Sequence, residues 1–229
     1  MVCIIDYGIG NLRSMEKALE AVGATVIRSD KPVDIERASH VVLPGVGAFG
    51  ACADEIRNRD LIPSIQQAID SGKPFLGVCV GMQLLFEVSE EMGLHDGLGV
   101  MPGRVVRFKH VYEPALATAG NSDTGSLPNE AAGASKGLKI PHMGWNTAIP
   151  TRPSPLLEGL KSPAYFYFVH SFHAVADNPE DVLASTTYGT HFPAIVQRNN
   201  VFGVQFHPEK SHDNGLLVLR NFARLNSNV

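Results

Sequence analysis

Apolar residues come in short unbroken runs through the first third of the chain and in looser alternation after residue 100, and this change of rhythm divides the sequence. VCIIDY (2–7) is a β-rich apolar run that ends at a glycine, which predicts a buried strand. After it, Leu12, Met15, Ala18, Leu19 and Val22 fall on one helical face, and Gly23 stands where a helix-terminating glycine belongs. ATVIR (24–28) and HVVLPG (40–45) predict two more strands, the second opening into a glycine-rich turn. Helices are expected at about 51–58 and 63–71, and PFLGV (74–78) is a fourth strand. QLLFEVSEE (83–91) is expected to continue as a helix. Strands that alternate with helices imply βαβ units, hence an α/β fold with a mainly parallel central sheet flanked by helices.

In the second half, GRVVRF (103–108) reads as a strand. From about 109 to 139 the chain is rich in Ala, Gly, Ser, Thr and Asn with no apolar period, which predicts a long flexible insertion. YFYFVHSF (165–172) and PAIVQRNNVFGVQF (193–206) predict an added antiparallel region. Asn199-Asn200 would form a hairpin turn, because Asn tolerates positive φ. LLVLRNFARL (216–225) closes the chain as a helix. With no internal repeat and no linker, residues 1–229 are expected to form a single domain carrying the insertion.

Composition narrows the class. A chain of 229 residues that is 44% hydrophobic can bury one sizeable core. A net charge of -4 gives no bulk attraction for nucleic acid or an anionic membrane. No apolar run approaches the roughly 20 residues of a membrane helix, and MVCIIDYG lacks the basic region and cleavage site of a signal peptide. Cys3, Cys52 and Cys79 are far apart and form no CxxC pair, so they read as reduced thiols of a cytoplasmic protein. No metal is expected: His170 and His173, the closest histidines, would face opposite sides of a strand and read as structural or pocket-lining.

The candidate chemistry begins at Cys79. Gly77-Val78-Cys79-Val80-Gly81 follows a predicted strand and opens a predicted helix, the setting of a nucleophile elbow with Cys in place of Ser. The glycines permit a sharp turn, and the start of a helix favours the thiolate. The Val80 N–H would point to where an oxyanion forms. A GxCxG string by itself also fits a packed structural turn. A thiol nucleophile needs a base and the base an orienting group. VFGVQFHPEKS offers both, since in an extended segment His207 and Glu209 would point the same way with Pro208 stiffening them. A strand-end histidine beside a surface glutamate fits the same residues. The PGVG turn (44–47) stands at the carboxyl end of a predicted strand, the edge where open parallel sheets bind ligands.

Taken together, GVCVGMQ, the downstream FHPE and the upstream PGVG resemble the class I, triad-type glutamine amidotransferases over nearly the whole chain. DYGIGNLRS, PHMGWN, YFVHSF and FHPEKS are similar to the glutaminase subunits of imidazole glycerol phosphate synthases of histidine biosynthesis. The resemblance implies L-glutamine as substrate and a triad of Cys79, His207 and Glu209. It implies oxyanion-hole donors from the main chain of Val46, Gly47 and Val80. A glutamine pocket would be lined by Gly47, Gln83, Glu91 and the main chain of Ser171 and Phe172. Asn11, Trp145, Asn146, Tyr167 and Lys210 would face a partner, a (β/α)8-barrel cyclase forming a heterodimer. No cofactor is implied. Two departures from the pattern are Val80, where Leu is frequent, and the segment at about 113–137, which exceeds the usual length.

Other readings compete. GIGNLR after a strand hints at a dinucleotide loop, with Gly8 and Gly10 in place and Asp30 near where a ribose-binding acid belongs. Arg13, however, holds the position that wants the third glycine. Glutaminases serving anthranilate, guanylate or pyridoxal phosphate synthesis share the triad, and PHMGWN and FHPEKS argue against them. A catalytically dead binding subunit conflicts with three intact triad positions.

Overall fold

The apolar runs of the first half become strands, and the amphipathic stretches between them become helices. The computed structural model describes residues 1–108 and 138–226; the insertion expected at about 113–137 lies outside the described residues. In order, the first half contains β1 (Val2–Ile5), α1 (Leu12–Ala21), β2 (Val26–Ser29), α2 (Pro32–Arg37), β3 (His40–Leu43), α3 (Phe49–Asn58), α4 (Ile62–Asp70), β4 (Phe75–Val78) and α5 (Val80–Gln83). Then come β5 (Phe86–Ser89), β6 (His95–Asp96), β7 (Met101–Arg107), β8 (His142–Pro150), β9 (Ala164–His170) and β10 (Phe172–Ala176). The chain ends with β11 (Val182–Tyr188), β12 (Thr190–Arg198), β13 (Val201–Val204) and α6 (His212–Arg224).

A nine-stranded sheet in the order β2-β1-β3-β4-β13-β12-β11-β8-β9 forms the centre of this α/β fold. Its first five strands are parallel; the rest is antiparallel. β1, β3, β4 and β13 are buried at every residue. Strands covered on both faces must be apolar throughout, which is why they are unbroken runs in the sequence rather than alternating ones. β13 is last in sequence yet lies beside β4, pairing Val201 with Phe75 and Val204 with Val78. This long-range pairing brings the start of the FHPEK segment to the elbow that follows β4.

Several elements differ from expectation. The stretch 83–91 is not a helix. The helix that starts at Val80 ends after Gln83, and Phe86–Ser89 is a strand in a second sheet ordered β10-β7-β5-β6. The pairing of Phe86 with Met101 and of Ser89 with Val105 overrides the helix-forming Leu and Glu content. Residues 165–172 are two strands. β9 pairs with β8 in the large sheet, and after Ser171 β10 leaves to pair with β7 in the small one. α2 was not foreseen: only six residues long, it shows a proline in its first turn but too few apolar positions to display a period. The hairpin at Asn199 forms as expected, with φ of 51° at that residue.

Candidate active site

The elbow is built by steric exclusion. Cys79 sits at φ 55° and ψ −111°, between the end of β4 and the first turn of α5. That left-handed conformation is costly for a residue with a Cβ and persists only where its surroundings impose it. They do so here through close backbone packing. A Cβ on Gly77 would lie 2.5 Å from the Gly81 carbonyl oxygen, and one on Gly81 would overlap the Leu43 carbonyl oxygen. The Cys79 N–H is held by the Val204 carbonyl at 2.8 Å, so β13 fixes the strained residue directly. α5 is a single turn, so the field at Cys79 comes from local N–H groups, with little from a helix dipole. Val80 opens that turn, where an N–H has no partner within the helix.

His207 and Glu209 meet through a different geometry from the one expected. His207 is extended, but Pro208–Lys210 is a 3-10 turn and not a continued strand. The turn folds the carboxylate back so that His207 Nδ1 and Glu209 Oε1 are 2.9 Å apart, with both side chains at most 4% exposed. Burial by itself would lower the His207 imidazole pKa; the hydrogen bonds and charges of Cys79 and Glu209 outweigh it and push the imidazole well above its ordinary value. Burial likewise raises the Glu209 carboxyl pKa, and the hydrogen bond and charge of His207 reverse this, leaving the carboxyl below its ordinary value. Asn11 Nδ2 donates a further hydrogen bond to Glu209 Oε1 at 3.1 Å, while Oε2 is buried without a partner among the described residues.

A cavity of about 430 Å³ opens over the elbow, within the size range of small-molecule sites. Cys79, His207, Val46, Gly47, Val80, Gln83, Glu91, Ser171 and Phe172 all line it. Glu91 reaches the cavity from beyond β5, and its Oε2 accepts the Phe49 N–H at 2.7 Å, fixing the carboxylate at the first turn of α3. Gln83 Nε2 donates to the Phe172 carbonyl at 3.0 Å and to Gln205 Oε1 at 3.0 Å. Gly47 adopts φ 82° at the exposed rim, a conformation that favours glycine.

The residues expected to face a partner divide into two groups. Trp145, 47% exposed, stacks on His212 and stands 6.2 Å from Tyr167, over whose ring Lys210 lies. Asn11 and Asn146 instead turn their amides inward, Asn11 to Glu209 and Asn146 to His142 and the Thr187 carbonyl. His170 and His173 do not face opposite sides as expected. The strand break at Ser171 turns both onto Phe108 and Phe192. Among the described residues no cluster of His, Cys, Asp and Glu could hold a metal ion. The three cysteines are buried and free, and no helix among the described residues is long and apolar enough to cross a membrane. Asp30, the residue expected near a ribose, is paired with Arg59 at 3.3 Å.

Sequence reasoning missed Gln205 and His142. Gln205 is wholly buried and its Nε2 stands 3.8 Å from Cys79 Sγ. Its one signal is a polar residue inside an otherwise apolar strand run, VFGVQF. His142 offered no such signal: Asn146 lies on its own strand, but His170, Phe168 and Tyr188 come from β9 and β11.

A strained cysteine at a strand–turn–helix elbow, a buried His–Glu pair and a pocket thus meet at the carboxyl edge of the parallel strands. The chain belongs to the glutamine amidotransferase class-I family, whose profile matches residues 3–225. Within it, the chain is 57% identical to the imidazole glycerol phosphate synthase subunit HisH of Salinibacter ruber, over 98% of this chain and 94% of that one. It is 44% identical to the subunit of the same name from Syntrophotalea carbinolica, over 97% and 98%. Among solved structures, a glutamine amidotransferase superposes with a TM-score of 0.66 at 19% identity, over 98% of this chain and 99% of that one. PurLQS of Thermotoga maritima gives 0.68 at 18%, over 96% of each. At such identities these two report the fold alone.

Proposed function

We propose that Cys79, His207 and Glu209 are the catalytic triad through which this chain, the glutaminase subunit of an imidazole glycerol phosphate synthase, releases ammonia from L-glutamine for histidine biosynthesis. The observation that carries the assignment is the buried His207–Glu209 pair, 2.9 Å apart, opening onto the same cavity as the strained Cys79. The Cys79 thiolate attacks the side-chain amide carbon of glutamine, and the carbonyl electron pair moves onto oxygen. Main-chain N–H groups at Val46, Gly47 and Val80 hold that oxyanion, each such donor typically contributing roughly 3–4 kcal/mol. Imidazolium His207 protonates the leaving nitrogen; the C–N bond breaks, ammonia departs and a γ-glutamyl thioester remains. Neutral His207 then takes a proton from water, hydroxide adds to the thioester carbon, and collapse expels the thiolate and frees glutamate. Glu209 holds the ring and stabilises its cationic form. Gln83, Glu91 and the Ser171–Phe172 main chain seat the substrate.

The ammonia serves a partner subunit. In this reading the partner is a (β/α)8-barrel cyclase that forms a heterodimer with the chain. It converts a phosphoribulosyl-type nucleotide into imidazole glycerol phosphate and an aminoimidazole carboxamide ribonucleotide. The exposed Trp145 and Lys210, with half-buried Tyr167 between them, support a docking face there, since aromatic and basic groups suit interfaces. The free buried thiols fit a single-domain cytoplasmic protein. The test is Cys79→Ala in the assembled synthase. Glutamine-dependent synthesis should vanish while synthesis from added ammonium persists; survival of the glutamine-dependent rate would overturn the triad.

A further inference from the structure

His142 and His170 form a pair of buried rings at the back of the cavity, and their surroundings fix both tautomers without reference to hydrogen positions. The Asn146 amide is oriented from two sides. Its Oδ1 accepts the Thr147 N–H at 2.8 Å, and its Nδ2 donates to the Thr187 carbonyl at 3.0 Å. The same Nδ2 lies 3.2 Å from His142 Nε2, which must therefore be the unprotonated nitrogen. At the other end His170 Nδ1 lies 2.7 Å from the Phe172 carbonyl, an acceptor only, so it carries the proton. Between them His142 Nδ1 and His170 Nε2 are 3.0 Å apart, and one proton is needed there. A donor at one end and an acceptor at the other admit a single solution: both rings neutral, each protonated on Nδ1, with every bond running from Asn146 toward Phe172.

The chain of bonds ends at the glutamine pocket. The Phe172 carbonyl that receives the His170 proton also receives Gln83 Nε2 at 3.0 Å. Gln83 continues to Gln205, and Gln205 to Cys79 Sγ at 3.8 Å. His142 is held flat between Tyr188, at 4.1 Å, and Phe168, at 4.9 Å between ring centroids. Burial lowers the His142 pKa to about 4 and the His170 pKa to about 3, in keeping with neutral rings. We infer that His142 and His170 are positioning residues for glutamine hydrolysis: as a one-way relay of neutral rings they hold the Phe172 carbonyl and, through it, Gln83 in register with the substrate. The inference rests on the glutaminase reading of the site.

Asn146→Asp tests the direction of the relay at nearly constant side-chain volume; like Asn146→Ala it gives up the bond to the Thr187 carbonyl. A carboxylate there demands a proton on His142 Nε2, which inverts or charges the relay, whereas Asn146→Ala leaves that nitrogen, the Thr147 N–H and the Thr187 carbonyl unpaired without reversing any donor. Both are assayed as full chains in the assembled synthase at saturating partner, with glutamate release giving kcat and KM. Histidine-selective 15N NMR at pH 7 reads the ring nitrogens. Wild type should show Nδ1–H tautomers at both rings. Asn146→Asp should protonate His142 Nε2 and raise KM for glutamine on the order of 10-fold with a smaller change in kcat, and Asn146→Ala should raise it by about 3-fold or less. An Nε2–H tautomer at His170 in the wild type, or an Asp variant with altered rings and unchanged KM, overturns the inference. So does an Ala variant as impaired as the Asp variant. Should Asn146→Asp not fold, His142→Phe, which keeps the ring stack, must raise KM in the same way, and an unchanged KM again overturns it. A wild-type assembly that releases no glutamate would instead refute the glutaminase reading, a result separable from the tautomers seen by NMR.

Discussion

Replacing Glu209 with Gln removes the charge of the proposed triad acid and keeps its shape. At an effective dielectric constant of about 20, unit charges at the observed 2.9 Å attract by about 6 kcal/mol, and delocalisation of each charge over two atoms leaves roughly half of that. A loss of about 3 kcal/mol corresponds to a fall of about two pH units in the His207 pKa and about 100-fold in kcat/KM. The variant has a second defect. Its Oε1 can still accept from His207 and Asn11, but the new amide N–H group takes the place of Oε2, which has no partner among the described residues. An unsatisfied buried donor costs about 1–3 kcal/mol, so the melting temperature should fall as well. The assay is glutamate release by the assembled synthase across pH, with ammonium-driven synthesis as the control for the partner. The imidazolium is the form that the carboxylate stabilises, so its loss should move the alkaline limb of the kcat/KM profile to lower pH. A variant within about twofold of wild type at pH 7, with the alkaline limb unmoved, would refute the electrostatic role of Glu209.

Gly81→Ala would drive a Cβ into the Leu43 carbonyl oxygen, and because both groups are backbone in close contact, the loss should exceed about 3 kcal/mol; guanidinium unfolding measures it, and wild-type stability would contradict the elbow geometry. His142 and His170 have folded pKa values of about 4 and about 3, below the unfolded value. The folded state therefore binds fewer protons, and stability present above about pH 6.5 is lost as pH falls. Each ring should cost about 2 kcal/mol between pH 7.5 and 5, His142→Phe should remove one share, and equal pH dependence in urea titrations of the two proteins would sink the assignment. Trp145→Ala removes an exposed ring stacked on His212 and should weaken binding of the partner by about 10-fold or more with little change in the chain's own melting temperature. Calorimetry that finds the affinity unchanged would move the docking face elsewhere.

Local pattern carried the parallel half of the fold because strands buried on both faces must be continuous apolar runs. VCII, HVVL and FLGV therefore announce themselves with no tertiary information. It failed at residues 83–91, where helix-forming residues become a strand only because β7 is there to pair with. At 165–172 it gave antiparallel strand correctly but not the break, since a single residue, Ser171, marks the point at which the chain changes sheets. Cys79 with its glycines and the His207–Glu209 spacing were readable because strained turns and short-range pairs have local signatures. Gln205, His142 and the Asn11–Glu209 bond were not, since each depends on residues brought together from distant parts of the chain.

By itself, then, the sequence determined the class of fold, the elbow at Cys79 and the types of residue able to complete its chemistry, because backbone preferences and apolar periodicity act over a few residues. Only the tertiary structure decided that Pro208–Lys210 turns Glu209 back onto His207, that Asn11 and Asn146 face inward, and that two neutral histidines run in one direction toward the Phe172 carbonyl. Those outcomes depend on which donors and acceptors the folded chain leaves without water, and burial is a property of the whole molecule.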